Sequence, residues 1–381
     1  MIITAVETFA VAPRWLFLKV STDEGIVGWG EATLEGRVET ARAAVHEIED
    51  LYLGTDPLRI EDHWQVAWKS GFYRGDAVLA TAVSAYDHAL WDIAGKYRNA
   101  PVHELLGGPV RDRVRVYSWI GGDVPSEVAE RAAAQREAGF TAVKMNAAGR
   151  LTGLDTSAAI DHTVALAAAA RTALGPDADF AMDFHGRFTT AMARRVIPEL
   201  EPYRPMFVEE PVLPEYLHRL RDVVESTTVP IACGERLHSR AAFLPALQSG
   251  IAVAQPDLAH CGGISEGRRI ATLAETYDVL IAPHCPLVPI ALAASLQVAF
   301  ATPNLLIHEQ SLGMHYNTTA DLLDYLVDPS VFRFSDGHCL RPTAPGLGIE
   351  VDEKAVRRAA EIGHRWRGPV WRHEDGAFAE W

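Results

Sequence analysis

The stretch Ala181-Met182-Asp183-Phe184-His185-Gly186-Arg187 sets an acid and a histidine two residues apart. It closes an apolar run, residues 179–184, of the kind that forms a buried strand. Residues i and i+2 of a strand share a face, so a strand over 180–185 predicts that Asp183 and His185 point the same way. Two more acids close later apolar runs. Glu209 does so in Met206-Phe207-Val208-Glu209-Glu210-Pro211, and Glu235 in Pro230-Ile231-Ala232-Cys233-Gly234-Glu235-Arg236. Both intervals, 183 to 209 and 209 to 235, are 26 residues, room for one unit of strand, loop, helix and loop. Parallel strands arranged in a ring would deliver three such carboxylates to one point.

Outward from that stretch the rhythm holds. Strands are expected at 114–119, 142–146, 180–185, 206–209, 231–235, 251–257, 280–284 and 305–309. Helical stretches such as 126–138, 190–201 and 265–277 lie between them. Eight strands alternating with helices specify an α/β fold with a parallel sheet, most economically closed as a (β/α) barrel. A doubly wound open sheet is the less economical alternative, because polar residues mark nearly every strand end. Residues 1–113 differ. Three antiparallel strands (2–11, 15–20, 26–32) precede helical stretches at 38–52, 60–68 and 77–96, which is an α+β pattern. The barrel is expected over 114–318. A final segment, 319–381, with short helices at 319–325 and 353–365 and an aromatic, polar tail, is expected to pack back on the first domain.

The chain has 381 residues and a formal net charge of −15. That charge argues against nucleic acid and anionic membrane surfaces as partners, since both require clustered Lys and Arg. It leaves an anionic small molecule open, because a bound divalent cation reverses the local field. Cys233, Cys261, Cys285 and Cys339 show no CxxC spacing and no disulfide framework, which points to a reducing cytoplasm. The first residues lack a basic region followed by a long apolar core, so no signal peptide is expected. The longest Ala-rich run, 163–174, is too short to span a bilayer. Gly121-Gly122 and Gly262-Gly263 do not form Gly-x-Gly-x-x-Gly, so a nicotinamide cofactor has no support.

Asp183, Glu209 and Glu235 form an all-oxygen donor set, which favours Mg²⁺, with Mn²⁺ as substitute, over Zn²⁺. Taken singly, each acid is more often a helix cap or a solvated loop residue. Equal spacing at three matching strand ends reverses that. His284 ends the seventh strand and Asp257 the sixth, so the acid can orient the ring and raise its basicity. The alternative is a structural histidine. His185 is open to three roles: metal ligand, second base or general acid. Glu309, ending the eighth strand, is either a protonated donor to an oxyanion or a carboxylate paired with a cation. Lys144 is suited to neutralising the carboxylates or to binding an anionic substrate. Asn146, two residues on, cannot act as a base. Arg14, with Phe72-Tyr73-Arg74, belongs to the first domain and either covers the barrel mouth or packs at the surface.

These residues, with Pro13-Arg14-Trp15, Gly28-Trp29-Gly30-Glu31, Gly71-Phe72-Tyr73-Arg74-Gly75, Tyr117-Ser118-Trp119, Ala282-Pro283-His284-Cys285-Pro286-Leu287 and Trp371-Arg372-His373-Glu374-Asp375, carry a resemblance over nearly the whole chain. The sequence resembles the mandelate-racemase-like branch of the enolase superfamily, and within it the D-galactonate dehydratase subgroup. The resemblance implies a modified (β/α)₇β barrel under an N-terminal α+β capping domain completed by the C-terminal segment. It implies Mg²⁺ on Asp183, Glu209 and Glu235. His284, paired with Asp257, falls on the base that removes the proton alpha to a carboxylate, a superfamily chemistry that also serves as a general example of pKa tuning. His185 falls on the acid that protonates the departing 3-hydroxyl, and Glu309 on the residue that stabilises the enediolate. Lys144, Asn146 and Arg14 are the expected substrate contacts. Asn146 departs from the Lys-x-Lys pattern of racemases and agrees with dehydratases. A small aldonate substrate and a homo-oligomer are the expected partners.

Overall fold

The computed structural model describes residues 1–287, 289–312 and 322–381. The chain opens with an antiparallel sheet, β1 (Ile3–Val11), β2 (Trp15–Thr22) and β3 (Val27–Glu31), in that spatial order. Helices α1 (Val38–Glu47), α2 (Ile60–Lys69) and α3 (Ala77–Arg98) follow. The expected helix to residue 52 stops at Glu47 and continues as a 3₁₀ turn, Glu49–Leu51. Asp76 caps α3 by accepting a hydrogen bond from the Val78 amide. Leu16, Leu18 and Val20 from β2 meet Ala82, Ala85, Ala89 and Ile93 of α3 in one apolar core. The helix lies directly on β3 because that strand offers glycine: a Cβ on Gly30 would stand 1.9 Å from the Ala85 carbonyl oxygen, and one on Gly28 would stand 2.1 Å from that of Ala89.

After α4 (Val102–Leu105) the alternation begins: β4 (Arg113–Trp119), α5 (Pro125–Glu137), β5 (Ala142–Asn146), α6 (Ser157–Leu174), β6 (Asp179–Asp183) and α7 (Thr190–Leu200). It continues with β7 (Val208–Glu209), α8 (Leu220–Val224), β8 (Ile231–Cys233), α9 (Arg240–Gln248), β9 (Val253–Ala254) and α10 (Gly263–Glu275). It ends with β10 (Leu280–Ile281), α11 (Ile290–Ala301) and β11 (His308–Gln310). Each strand from β4 to β9 pairs with its successor in parallel, and β11 returns to pair with β4. A parallel bridge between Ile281 and Leu305 joins the remaining edges. The sheet is therefore a closed ring of eight strands with a helix in each of seven intervals, the (β/α)₇β barrel. Tyr117, Ala142, Ala181, Phe207, Ala232, Val253, Ala282 and Ile307 fill its interior.

The chain then returns. β12 (Phe334–Ser335) and β13 (His338–Leu340) form a hairpin whose second strand pairs antiparallel with the first half of β4. α12 (Glu353–Ile362) lies on the first sheet, where Lys19 Nζ is 2.7 Å from Glu353 and Arg357 is 2.7 Å from Glu7. The last residues fold as β14 (Trp371–Arg372) and β15 (Phe378–Ala379). Of the helix expected at 319–325, residues 319–321 lie outside the described residues, and 322–325 are turns. The first domain sits on the barrel through α2 and α3: Asp87 of α3 accepts from the Ser265 amide and hydroxyl at 2.9 and 2.5 Å, and the Trp64 indole of α2 donates to the Gly262 carbonyl at 2.9 Å. Among the described residues no helix is long and apolar enough to cross a membrane.

Candidate active site

Asp183 and Glu209 are the last residues of β6 and β7 and lie opposite each other in register. Glu235 follows β8 by two residues. One carboxylate oxygen from each of the three lies within 4.8 Å of the others. Burial pushes Asp183 well above the usual carboxylate range, and the charges of Glu209 and Glu235 push it further. Glu209 is raised chiefly by burial too. Burial also acts on Glu235, but His284 and Arg236 beside it outweigh burial and hold it below the usual range. Glu235 Oε2 is buried without a hydrogen bond. Three crowded carboxylates, two of them resisting ionisation and one with an oxygen that accepts no hydrogen bond, fit a hard divalent cation.

Lys144 is a basic side chain sealed among these acids. It is 1% exposed, with Nζ 2.8 Å from Glu209 Oε1 and 2.9 Å from Glu309 Oε1. The rings of Tyr117 and Trp119 lie 5.3 and 5.7 Å from it. Burial alone would lower its pKa, but the two carboxylates outweigh burial and hold it well above the ordinary lysine value. Glu309 Oε2 accepts from the Cys285 amide at 2.8 Å, so both Glu309 oxygens are engaged.

His185 corrects the strand argument. β6 ends at Asp183, and His185 has φ +50°, in a turn beyond the strand. The turn, not the pleat, brings the two side chains together, with His185 Nε2 3.0 Å from Asp183 Oδ2. The turn is tied down by Asp183 Oδ1 accepting from the His185 amide, by the Arg187 amide donating to the Phe184 carbonyl, and by Arg236 donating to the His185 carbonyl at 2.9 Å. Burial pushes the His185 imidazolium down to about 3, and Glu235 opposes it only in part.

His284 lies on the other flank. Its Nδ1 is 2.7 Å from Asp257 Oδ2, and Asp257 Oδ1 accepts from the Ala259 amide at 2.7 Å. Burial pushes Asp257 up, but His260 and His284 outweigh it and hold the acid below its ordinary value. An ionised Asp257 only accepts, so His284 Nδ1 carries the proton of that bond and Nε2 faces the site. Nε2 is 3.3 Å from Glu235 Oε2 and 4.0 Å from Glu309 Oε2. Burial lowers the pKa of His284, but Glu235, Glu309 and Asp257 together raise it well above the ordinary value.

Asn146 ends β5 opposite Asp183, with Oδ1 buried and unbonded. Arg14 makes an ion pair with Glu35 at 2.6 Å, and its guanidinium stands over Trp15 and Trp366. Three residues that the sequence reading missed belong to the site. Gln255 donates to Glu209 Oε2 at 2.8 Å, Arg236 lies 3.4 Å from Glu235, and Glu210, buried beside Glu209, is pushed up to about 8 by burial and the charge of Glu235. Their signal was adjacency, since Gln255 is two residues before Asp257, and Arg236 and Glu210 each directly follow a cluster acid.

Residues 2–107 match the family of mandelate racemase / muconate lactonizing enzyme N-terminal domains, and residues 127–355 match the enolase C-terminal domain-like family. The chain belongs to the enolase superfamily. Among its superfamily relatives, D-galactonate dehydratase of Variovorax paradoxus is 50% identical over the whole of both chains, and D-galactonate dehydratase of Pectobacterium atrosepticum is 49% identical, also over both full lengths. The fold of an enolase-superfamily protein from Agrobacterium radiobacter, solved with sodium and L-malate bound, superposes with a TM-score of 0.92 at 33% identity over all of both chains.

Proposed function

We propose that the chain is a Mg²⁺-dependent hydro-lyase that converts D-galactonate to 2-dehydro-3-deoxy-D-galactonate and water. The observation that carries this is two histidines flanking one carboxylate cluster, His284 braced by Asp257 and His185 held against Asp183. The names of the full-length relatives supply the substrate.

A proton alpha to a carboxylate is weakly acidic, because its loss sets a second negative charge beside the first. Mg²⁺ held by Asp183, Glu209 and Glu235 would supply the charge that stabilises that second anion. His284 takes the C2 proton on Nε2, while Asp257 holds Nδ1–H and stabilises the imidazolium. His185 protonates the 3-hydroxyl as the C3–O bond breaks, so water leaves instead of hydroxide. The enol then tautomerises to the 2-keto-3-deoxy acid. Burial disfavours the His185 imidazolium, so its acid role draws on the negative charge of the bound substrate, which favours the protonated form. Glu309 can donate a hydrogen bond to the enediolate only in its protonated form, since a carboxylate only accepts. Asn146 provides no second base on the opposite face, which disfavours racemisation.

The test is a screen of D-galactonate with its C2, C3 and C4 epimers for 2-keto acid formation, with Mg²⁺ and with EDTA. Metal-dependent turnover of D-galactonate alone is the expected result. Turnover of gluconate, mannonate or fuconate instead would keep the mechanism and move the substrate. In the same assay His284→Asn should abolish hydrogen exchange at C2, whereas His185→Asn should block water loss by about 10²-fold or more and keep exchange. Full dehydration by the His185 variant would overturn its role.

A further inference from the structure

The last sixteen residues join the first domain to the turn that carries His185. At one end, Arg14 stands 5.2 Å over the ring of Trp366, whose neighbour is the Trp381 ring at 6.5 Å. At the other, the guanidinium of Arg187 stands 4.8 Å over Trp371, the first residue of the β14–β15 hairpin. A two-stranded hairpin is marginal by itself, and this one pairs only with itself, so it stands through its anchors. The second anchor is Arg150, which donates to the Arg372 carbonyl.

Arg187 is 9% exposed and has no carboxylate at ion-pair distance among the described residues. Its contacts are the Ala148 carbonyl at 2.5 Å and the Trp371 face. Asp183, Asp123 and Glu380 favour its charge from beyond ion-pair distance, so its direct neighbours are that carbonyl and the indole face, which attracts a cation through the ring quadrupole. The Arg187 amide closes the turn on the carbonyl of Phe184, the residue directly after Asp183, and His185 lies inside that turn. Arg187 and His185 therefore belong to one hydrogen-bonded turn.

We propose that Trp371 is a positioning residue for the dehydration step: through Arg187 it holds the His185 turn where the proton can reach the leaving hydroxyl. This rests on the dehydratase function proposed above. The C-terminal hairpin then governs water loss and leaves C2 deprotonation by His284, on the opposite flank, unaffected.

The experiment measures, for one sample in D₂O, both 2-keto acid formation and hydrogen exchange at C2 of recovered D-galactonate. Trp371→Leu keeps apolar bulk but loses the π face; it should lower dehydration by about tenfold or more, since misplacement by an ångström suffices. Exchange should stay within about twofold of wild type, as only a step-specific interaction is lost. Trp371→Phe should restore most of the dehydration. Arg150→Met, which frees the hairpin at its other anchor, should move the same ratio in the same direction even if the Leu variant folds poorly. Parallel loss of both rates, or no change in their ratio, would overturn the proposal while wild-type turnover leaves the dehydratase function standing. A wild type that neither exchanges nor dehydrates any aldonate would remove that function, and this proposal with it.

Discussion

Lys144 shows how single residues set the character of the site. Its ammonium holds Glu209 and Glu309 together inside the barrel at 2.8 and 2.9 Å. Replacing it by methionine, of similar length and apolar, leaves two buried carboxylates without their cation. Breaking a buried pair in this way costs about 3–5 kcal/mol. Urea unfolding of Lys144→Met in metal-free buffer should show that loss, and added Mg²⁺ should recover part of it, because a cation on Glu209 replaces one of the two lost contacts. Equal stability of variant and wild type would mean the acids are protonated and need no cation. The sequence marked Lys144 as a neutraliser of the cluster or a substrate contact, and the structure buries it between two acids. The same logic separates Asp183 from His185. Their proximity was legible as spacing, but its cause was not, because the left-handed turn at His185 is set by hydrogen bonds from Arg236 and to Phe184 that no local pattern announces.

At the scale of elements, β3 and α3 carry the first domain. Gly30 has no side chain where α3 passes, and an added Cβ would sit 1.9 Å from the Ala85 backbone oxygen. Helix and strand would have to part, at a cost of about 2–3 kcal/mol. Gly30→Ala should therefore lower the urea midpoint clearly, whereas Gly71→Ala, where nothing lies within 4 Å, should stay within about 0.5 kcal/mol. Matching midpoints would show that the sheet can retreat from the helix. Element existence was readable from periodicity throughout the barrel, but lengths were not. The sixth strand, expected over 251–257, is regular only at Val253–Ala254, and Asp257 lies beyond it. Barrel strand ends turn early where side chains bend inward to make a site, and apolar patterning continues past the last ladder hydrogen bond.

At the scale of the whole molecule, the domain interface makes stability depend on pH. Glu31, at the end of β3, is buried against the start of α11, accepting from the Ala291 amide at 2.8 Å and from Thr33 at 3.0 Å. Burial pushes it from 4.5 up to about 7. A raised folded-state value means that the unfolded chain ionises first. Its contribution is whole below pH 4.5 and is lost as pH rises to about 7, after which both states are ionised and the loss is complete. The stability of wild type relative to Glu31→Gln should fall across that window, by on the order of 1 kcal/mol per pH unit, and be flat above it. Urea titrations of both proteins at several pH values check this, and a constant difference would show that Glu31 stays ionised in the fold. The sequence by itself determined the barrel, the three cluster acids at equal intervals and the two histidines, because periodicity and strand-end chemistry are written locally. Only the tertiary structure decided which charges meet. Lys144 against Glu309, Gln255 against Glu209, Arg187 over Trp371 and Arg14 over Trp366 are contacts between segments distant in the chain, and such contacts form when the ring closes and the last residues fold back on it.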